Sequence, residues 1–167
     1  MGSREQLLEA NRAFASGFDQ GQLEIPPAKR VAVLTCIDAR IDPAKALGLE
    51  IGDAHVIRNA GGRASDDAIR SLLISSWLLG TREYLVIHHT DCGMTQFTDD
   101  VLAGMIQEGT GQDLSGEEFL SFSDLDQSVR DDVGRIRNLK TLPEGVSVSG
   151  HVYDVRSGAI REFVPAG

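Results

Sequence analysis

Two short segments of this 167-residue chain hold side chains whose types and spacing suit metal chemistry: Cys36-Ile37-Asp38-Ala39-Arg40 and His88-His89-Thr90-Asp91-Cys92-Gly93. Zinc takes cysteine sulfur, histidine nitrogen and carboxylate oxygen in a tetrahedron, and a catalytic zinc commonly keeps three protein ligands and one open position. Cys36, His89 and Cys92 supply such a set. His89 and Cys92 are three residues apart, so one turn of chain can offer both to a single ion. Cys92 also precedes a segment expected to be helical, whose dipole would favour a thiolate.

Simpler readings exist for each residue. A lone cysteine is most often a small core residue, and a nucleophilic cysteine paired with His88 or His89 would leave the other cysteine idle. The chain has only two cysteines, and both fall on the two halves of one ligand pattern, which favours a metal. Asp38 and Arg40 would elsewhere be an ordinary surface ion pair. His55, His88 and His151 have no ligand spacing to one another and are read as packing or surface groups, with His88 or His55 available to relay protons. Asp91 is read as a helix-start or ligand-supporting residue, not as a ligand.

The elements that must position these residues follow from the hydropathy pattern. Arg30 to Cys36 is an apolar, β-branched run without alternation, as in a strand covered on both faces. Ala54 to Arg58 is a shorter strand running into Asn59-Ala60-Gly61-Gly62, which lacks the Lys-Ser/Thr pair of a phosphate loop and is read as a tight turn. Ser65 caps a helix that Gly80 closes, and Tyr84 to His88 is a third strand. Further helices are expected over about 94–107 and 123–139, with strands at 146–155 and 159–164 joined by a turn at Ser157-Gly158. The polar stretch from 109 to 122 receives no assignment.

This alternation predicts a single α/β domain over 1–167, with a central, mostly parallel sheet flanked by helices. Both candidate segments leave the carboxyl ends of strands, where open α/β sheets bind ligands; if the two strands are neighbours, one crevice holds both. Residues of about 3–20, with Leu7, Leu8, Phe14 and Phe18 among polar groups, form an N-terminal helical arm. A formal charge of −9 disfavours nucleic acid and anionic membrane as partners. No apolar run approaches the roughly 20 residues of a membrane span, and no signal peptide opens the chain, so a cytoplasmic protein acting on a small molecule is expected.

Cys36-x-Asp38-x-Arg40 together with His89-x-x-Cys92-Gly93 resembles the paired motif of β-class carbonic anhydrases, and Arg58-Asn59-Ala60-Gly61-Gly62 is similar to a third family segment. The resemblance runs from about Arg30 through Cys92. Met94 and the short length resemble a compact subgroup, which is also similar to enzymes hydrolysing carbon disulfide or carbonyl sulfide. The resemblance implies reversible hydration of carbon dioxide to bicarbonate by zinc-bound hydroxide, with Zn2+ on Cys36, His89 and Cys92. Asp38, two residues from a ligand, would accept the hydroxide's hydrogen bond, and Arg40 would keep Asp38 ionised and oriented. The resemblance also implies a closed state with Asp38 as fourth ligand, and a homodimer or larger homo-oligomer in which the N-terminal helix packs on a partner subunit. Two other readings compete: hydrolysis of carbon disulfide or carbonyl sulfide at the same zinc, and a non-catalytic zinc module.

Overall fold

The computed structural model describes residues 2–167. Its order is α1 (Ser3–Ser16), β1 (Val31–Cys36), α2 (Pro43–Leu47), β2 (Ala54–Asn59), a tight turn at 60–62, α3 (Asp66–Leu79), β3 (Glu83–His89), a short turn at 93–95, α4 (Asp99–Thr110), α5 (Leu125–Arg137), β4 (Ser147–Tyr153) and β5 (Ile160–Val164). The strands form one sheet ordered β2-β1-β3-β4-β5, parallel except for the antiparallel edge pair β4–β5.

The sheet explains the hydropathy of its central strands. Within β1 every residue after Val31 is buried, because strands flank it on both sides and its two faces are covered. Even-numbered side chains Ala32, Leu34, Tyr84, Val86, Val148 and Val152 meet Ala68 and Leu72 of α3 and Val129, Val133 and Ile136 of α5 in one core cluster. The approach of α5 is tight at Gly150, where an added Cβ would lie 2.6 Å from Val129 Cγ1.

Local signals set the helix ends. Ser65 accepts from the Ala68 N–H at 3.3 Å, and Asp124 accepts from the Gln127 N–H at 2.9 Å, each satisfying a donor the first turn leaves open. The helix expected from 94 is a correction: residues 93–95 form only a short 3₁₀ turn, and α4 begins at Asp99 under a Thr98 cap. Cys92 therefore does not stand at an α-helix N-terminus. α2 was absent from the sequence-based outline, being five residues long and too short to show a period.

β1 lies between β2 and β3, so the chain leaves it toward one edge through α2 and reaches β3 on the other side through α3. That reversal makes the carboxyl ends of β1 and β3 a topological switch point. Among the described residues no helix is long and apolar enough to cross a membrane, and α1 buries none of its residues. Leu7, Phe14 and Phe18 stay exposed.

Candidate metal centre

Cys36 ends β1 and His89 ends β3, and the two strands are hydrogen-bonded neighbours, with Thr35 opposite Ile87. Side chains alternate faces along a strand, so His88 turns toward α5 and His89 turns the other way. Asp91 takes a left-handed backbone, φ 55°, and reverses the chain so that Cys92 comes back beside His89. The three donor atoms of Cys36, His89 and Cys92 all lie within 4.8 Å of one another, and all three residues are buried.

The chemistry of this donor set fits a metal ion. His89 Nδ1 is 2.9 Å from the Thr90 carbonyl oxygen, which leaves Nε2 facing the sulfurs as a buried atom without a hydrogen-bond partner among the described residues. Buried polar atoms left unpartnered are rare and call for an explanation. Both thiols are free. A hydrogen bond from Cys92 draws the Cys36 thiol down to about 4, against the opposing effect of burial. The same contact, with burial, pushes the Cys92 thiol up. Burial works against a charged His89, but the neighbouring Cys36 outweighs it and raises the ring. Two thiols and an imidazole nitrogen within reach of one another form a donor set that could hold a soft cation.

Asp38 and Arg40 stand alongside. Arg40 donates from Nε to Asp38 Oδ1 at 3.0 Å and from Nη2 to Oδ2 at 2.7 Å, and its main-chain N–H adds a bond to Oδ1 at 2.9 Å. These bonds hold the Asp38 carboxyl well below the usual carboxylate range. Asp38 Oδ2 is 3.8 Å from His89 Nε2, so the carboxylate borders the ligand cluster while its hydrogen bonds go to Arg40. A cavity of 220 Å³ opens here, lined by Cys36, Asp38, Gly61, Cys92 and Met94. A larger cleft of 560 Å³, between Phe97 and Phe122, is lined by neither the sulfurs nor Asp38.

Sequence reasoning missed several residues that shape this site. Arg58 donates to the carbonyl oxygens of Cys36 at 2.9 Å and Asp38 at 2.8 Å, pinning the segment between them. Its place at the head of Arg58-Asn59-Ala60-Gly61-Gly62 was noticed, but not this role. Asn59 clamps the turn by accepting from the Arg63 N–H at 2.7 Å and donating to the Arg63 carbonyl at 2.7 Å. Gly62 sits at φ 69°, and a Cβ there would come 3.0 Å from Cys36 N, so only glycine lets the turn lie against the end of β1.

Behind the metal cluster lies a second buried polar group. His88 Nδ1 is 2.8 Å from Ser128 Oγ, and His88 Nε2 is 3.1 Å from Asp132 Oδ2, close but out of line for a hydrogen bond. Arg63 donates to Asp132 from Nε at 2.7 Å and from Nη2 at 3.2 Å, and from Nη1 to the Leu120 carbonyl at 2.7 Å. Phe122 stacks on His88 with ring centroids 5.7 Å apart. A signal for this group existed, because Ser128 and Asp132 fall at the helical spacing of Leu125, Val129, Val133 and Ile136.

Comparison with known proteins agrees with this fold. The family model described as "Carbonic anhydrase" matches residues 31–160. The chain is 45% identical over 163 residues to Beta-carbonic anhydrase 1 of Mycobacterium tuberculosis, covering 96% of this chain and 98% of that one. It is 35% identical to a carbon disulfide hydrolase of Saccharolobus solfataricus, covering 83% and 79%. A carbonic anhydrase structure from Streptococcus mutans superposes with a TM-score of 0.93 at 42% identity, covering 98% of each chain. The chain belongs to the β-carbonic anhydrase family.

Proposed function

We propose that this protein is a zinc enzyme catalysing the reversible hydration of carbon dioxide to bicarbonate, with the metal held by Cys36, His89 and Cys92. The observation that carries this reading is the set of three donor atoms within 4.8 Å of one another, beside an aspartate whose hydrogen bonds are all taken up by Arg40. A zinc ion there would supply a Lewis acid that lowers the pKa of water to about 7 and so makes hydroxide available near neutrality.

The chain's own residues do the rest. Asp38, kept ionised by Arg40, accepts a hydrogen bond from the attacking oxygen and aims its lone pair at the carbon of the substrate. Arg40 holds that carboxylate at two oxygens, which draws it away from the open position beside His89. Met94 and Gly61 give the 220 Å³ cavity an apolar wall, suited to a small neutral gas. The hydrogen bonding of Asp38 to Arg40 supports the catalytic reading over a zinc module closed by Asp38. The 35% identity to carbon disulfide hydrolase supports a second reading, in which the same centre hydrolyses carbon disulfide or carbonyl sulfide.

One experiment tests all three: zinc analysis of the purified protein, with assays on carbon dioxide and carbon disulfide side by side across pH. About one zinc per chain with hydration of carbon dioxide is expected. Arg40→Ala should keep zinc and lose roughly 10² in turnover, as should Asp38→Asn, since the first removes the group that orients Asp38 and the second the acceptor itself, and neither removes a ligand. Full zinc with neither activity would favour the closed module.

The exposed apolar side chains of the N-terminal arm, Leu7 and Phe14 on α1 and Phe18 just beyond its end, support a homodimer or larger homo-oligomer in which this arm packs on a second copy. Light scattering should detect at least a dimer at micromolar concentration, and a stable, active monomer would exclude it. A reducing cytoplasm suits two free thiols reserved for a metal.

A further inference from the structure

Arg40 is held from two sides, and only one of them is Asp38. The far end of its guanidinium donates from Nη1 to Asp91 Oδ2 at 2.7 Å and from Nη2 to the Asp91 carbonyl oxygen at 2.8 Å. Asp91 lies between His89 and Cys92, on the segment that leaves β3, whereas Asp38 and Arg40 lie on the segment that leaves β1. Its left-handed backbone, φ 55°, is a conformation that aspartate and asparagine tolerate better than most side chains. That conformation turns both acceptors of one residue toward one guanidinium.

We propose that Asp91 is a positioning residue for the hydration reaction, gripping the outer end of Arg40 so that Asp38 stays turned away from the metal position. This rests on the zinc-hydratase reading above. Asp91 and Arg40 side chains are 62% and 45% exposed, so their ion pair adds little to stability. Its consequence is orientation. A guanidinium is a rigid planar fork; with Asp38 on its Nε and Nη2 edge and Asp91 on its Nη1 and Nη2 end, its plane is fixed at both ends. Without Asp91 the fork pivots about the Asp38 contact, and the carboxylate turns with it. Asp38 Oδ2 already lies 3.8 Å from His89 Nε2, so a small rotation brings it among the ligands. Two carboxylates competing for one cation would act in the opposite sense, releasing Arg40 to Asp38 when Asp91 is removed, and the two accounts give opposite results.

The test compares the parent with Asp91→Gly, Asp91→Asn, Arg40→Ala and the double variant Arg40→Ala/Asp91→Gly. Each is measured for zinc content, for kcat and KM on carbon dioxide, and for the visible spectrum of its cobalt-substituted form. Asp91→Gly accepts the left-handed backbone and strips the carboxylate; a fall of about tenfold in kcat with KM little changed and zinc retained is expected for lost positioning. Asp91→Asn keeps an acceptor and should recover most of that loss. The double variant should be no slower than Arg40→Ala, because Asp91 acts only through Arg40. The cobalt spectrum of Asp91→Gly should move toward that of Arg40→Ala. Turnover in Asp91→Gly at or above the parent's, a loss that adds to that of Arg40→Ala, or zinc lost in step with activity would each overturn the proposal. If the parent hydrates no carbon dioxide, the functional reading fails separately, and identical cobalt spectra of parent and Asp91→Gly would overturn the positioning role by themselves.

Discussion

His88 and His89 are consecutive, both buried and both at the end of β3, yet they belong to opposite kinds of site. His88 enters a group whose polar atoms face one another: Ser128 on one ring nitrogen, Asp132 beside the other, and Arg63 closing on Asp132. His89 enters a group in which two free thiols face a buried Nε2 that has no hydrogen-bond partner among the described residues. The first pairs its charges within the protein, with Arg63 bound to Asp132 at both carboxylate oxygens, although His88 Nε2 makes no hydrogen bond among the described residues. The second brings together three donor atoms that could hold a metal ion. Paired charges tie elements together, whereas soft donors gathered without a counter-charge suit a cation.

The largest expected effect separates the two clusters by metal content. Cys92→Ser should lose most of its zinc and with it nearly all hydration activity, because ligand loss acts directly on metal affinity. Metal analysis after gel filtration checks this, and full zinc retention would remove Cys92 from the site. Asp132→Ala should do the reverse: it leaves Arg63 buried without its charge partner, at a cost of about 3–5 kcal/mol in denaturant unfolding, while the folded fraction keeps zinc. Zinc lost from folded Asp132→Ala would mean that the two clusters are one unit.

Acid sharpens the same contrast. Burial pushes the Asp132 carboxyl up, but His88 and Arg63 together outweigh it and hold it below its ordinary value. A carboxyl with a lowered folded-state pKa contributes stability above its unfolded pKa of about 3.9 and loses it as pH falls through the lower folded value. Asp132→Asn should therefore be less stable than the parent at neutral pH, and the gap should narrow below about pH 4. Chemical denaturation at several pH values reads this; a constant gap would show that Asp132 does not titrate as described. The smallest effect is expected from Ser128→Ala, which removes one partner of His88 and should cost about 1–2 kcal/mol by the same measurement, with zinc and turnover unaltered.

The candidate donor cluster was legible in the sequence because metal chemistry restricts residue types so narrowly. Two cysteines and a histidine at the ends of two apolar runs have few other uses. The strands themselves were legible for a similar reason, since β1 is buried on both faces and shows it as an unbroken apolar run. Where the hydropathy signal is mixed, the pattern misleads: residues 94–98 read as continuous with α4, but a 3₁₀ turn and the Thr98 cap separate them.

The sequence alone determined the α/β alternation, the donor types of the candidate metal centre and the pairing of Asp38 with a nearby arginine, all matters of residue identity and short spacing. Tertiary structure decided which side of each neighbouring pair matters. It placed β1 against β3, sent His88 to α5 and His89 to the sulfurs, and brought Asp91 to Arg40 across 51 residues. It also set Arg58 over the Cys36 and Asp38 carbonyls and closed the Gly62 turn on the end of β1. These are hydrogen bonds and close approaches between segments distant in sequence. Their energies depend on distance and angle, which no local pattern of residues records until the sheet has set the register.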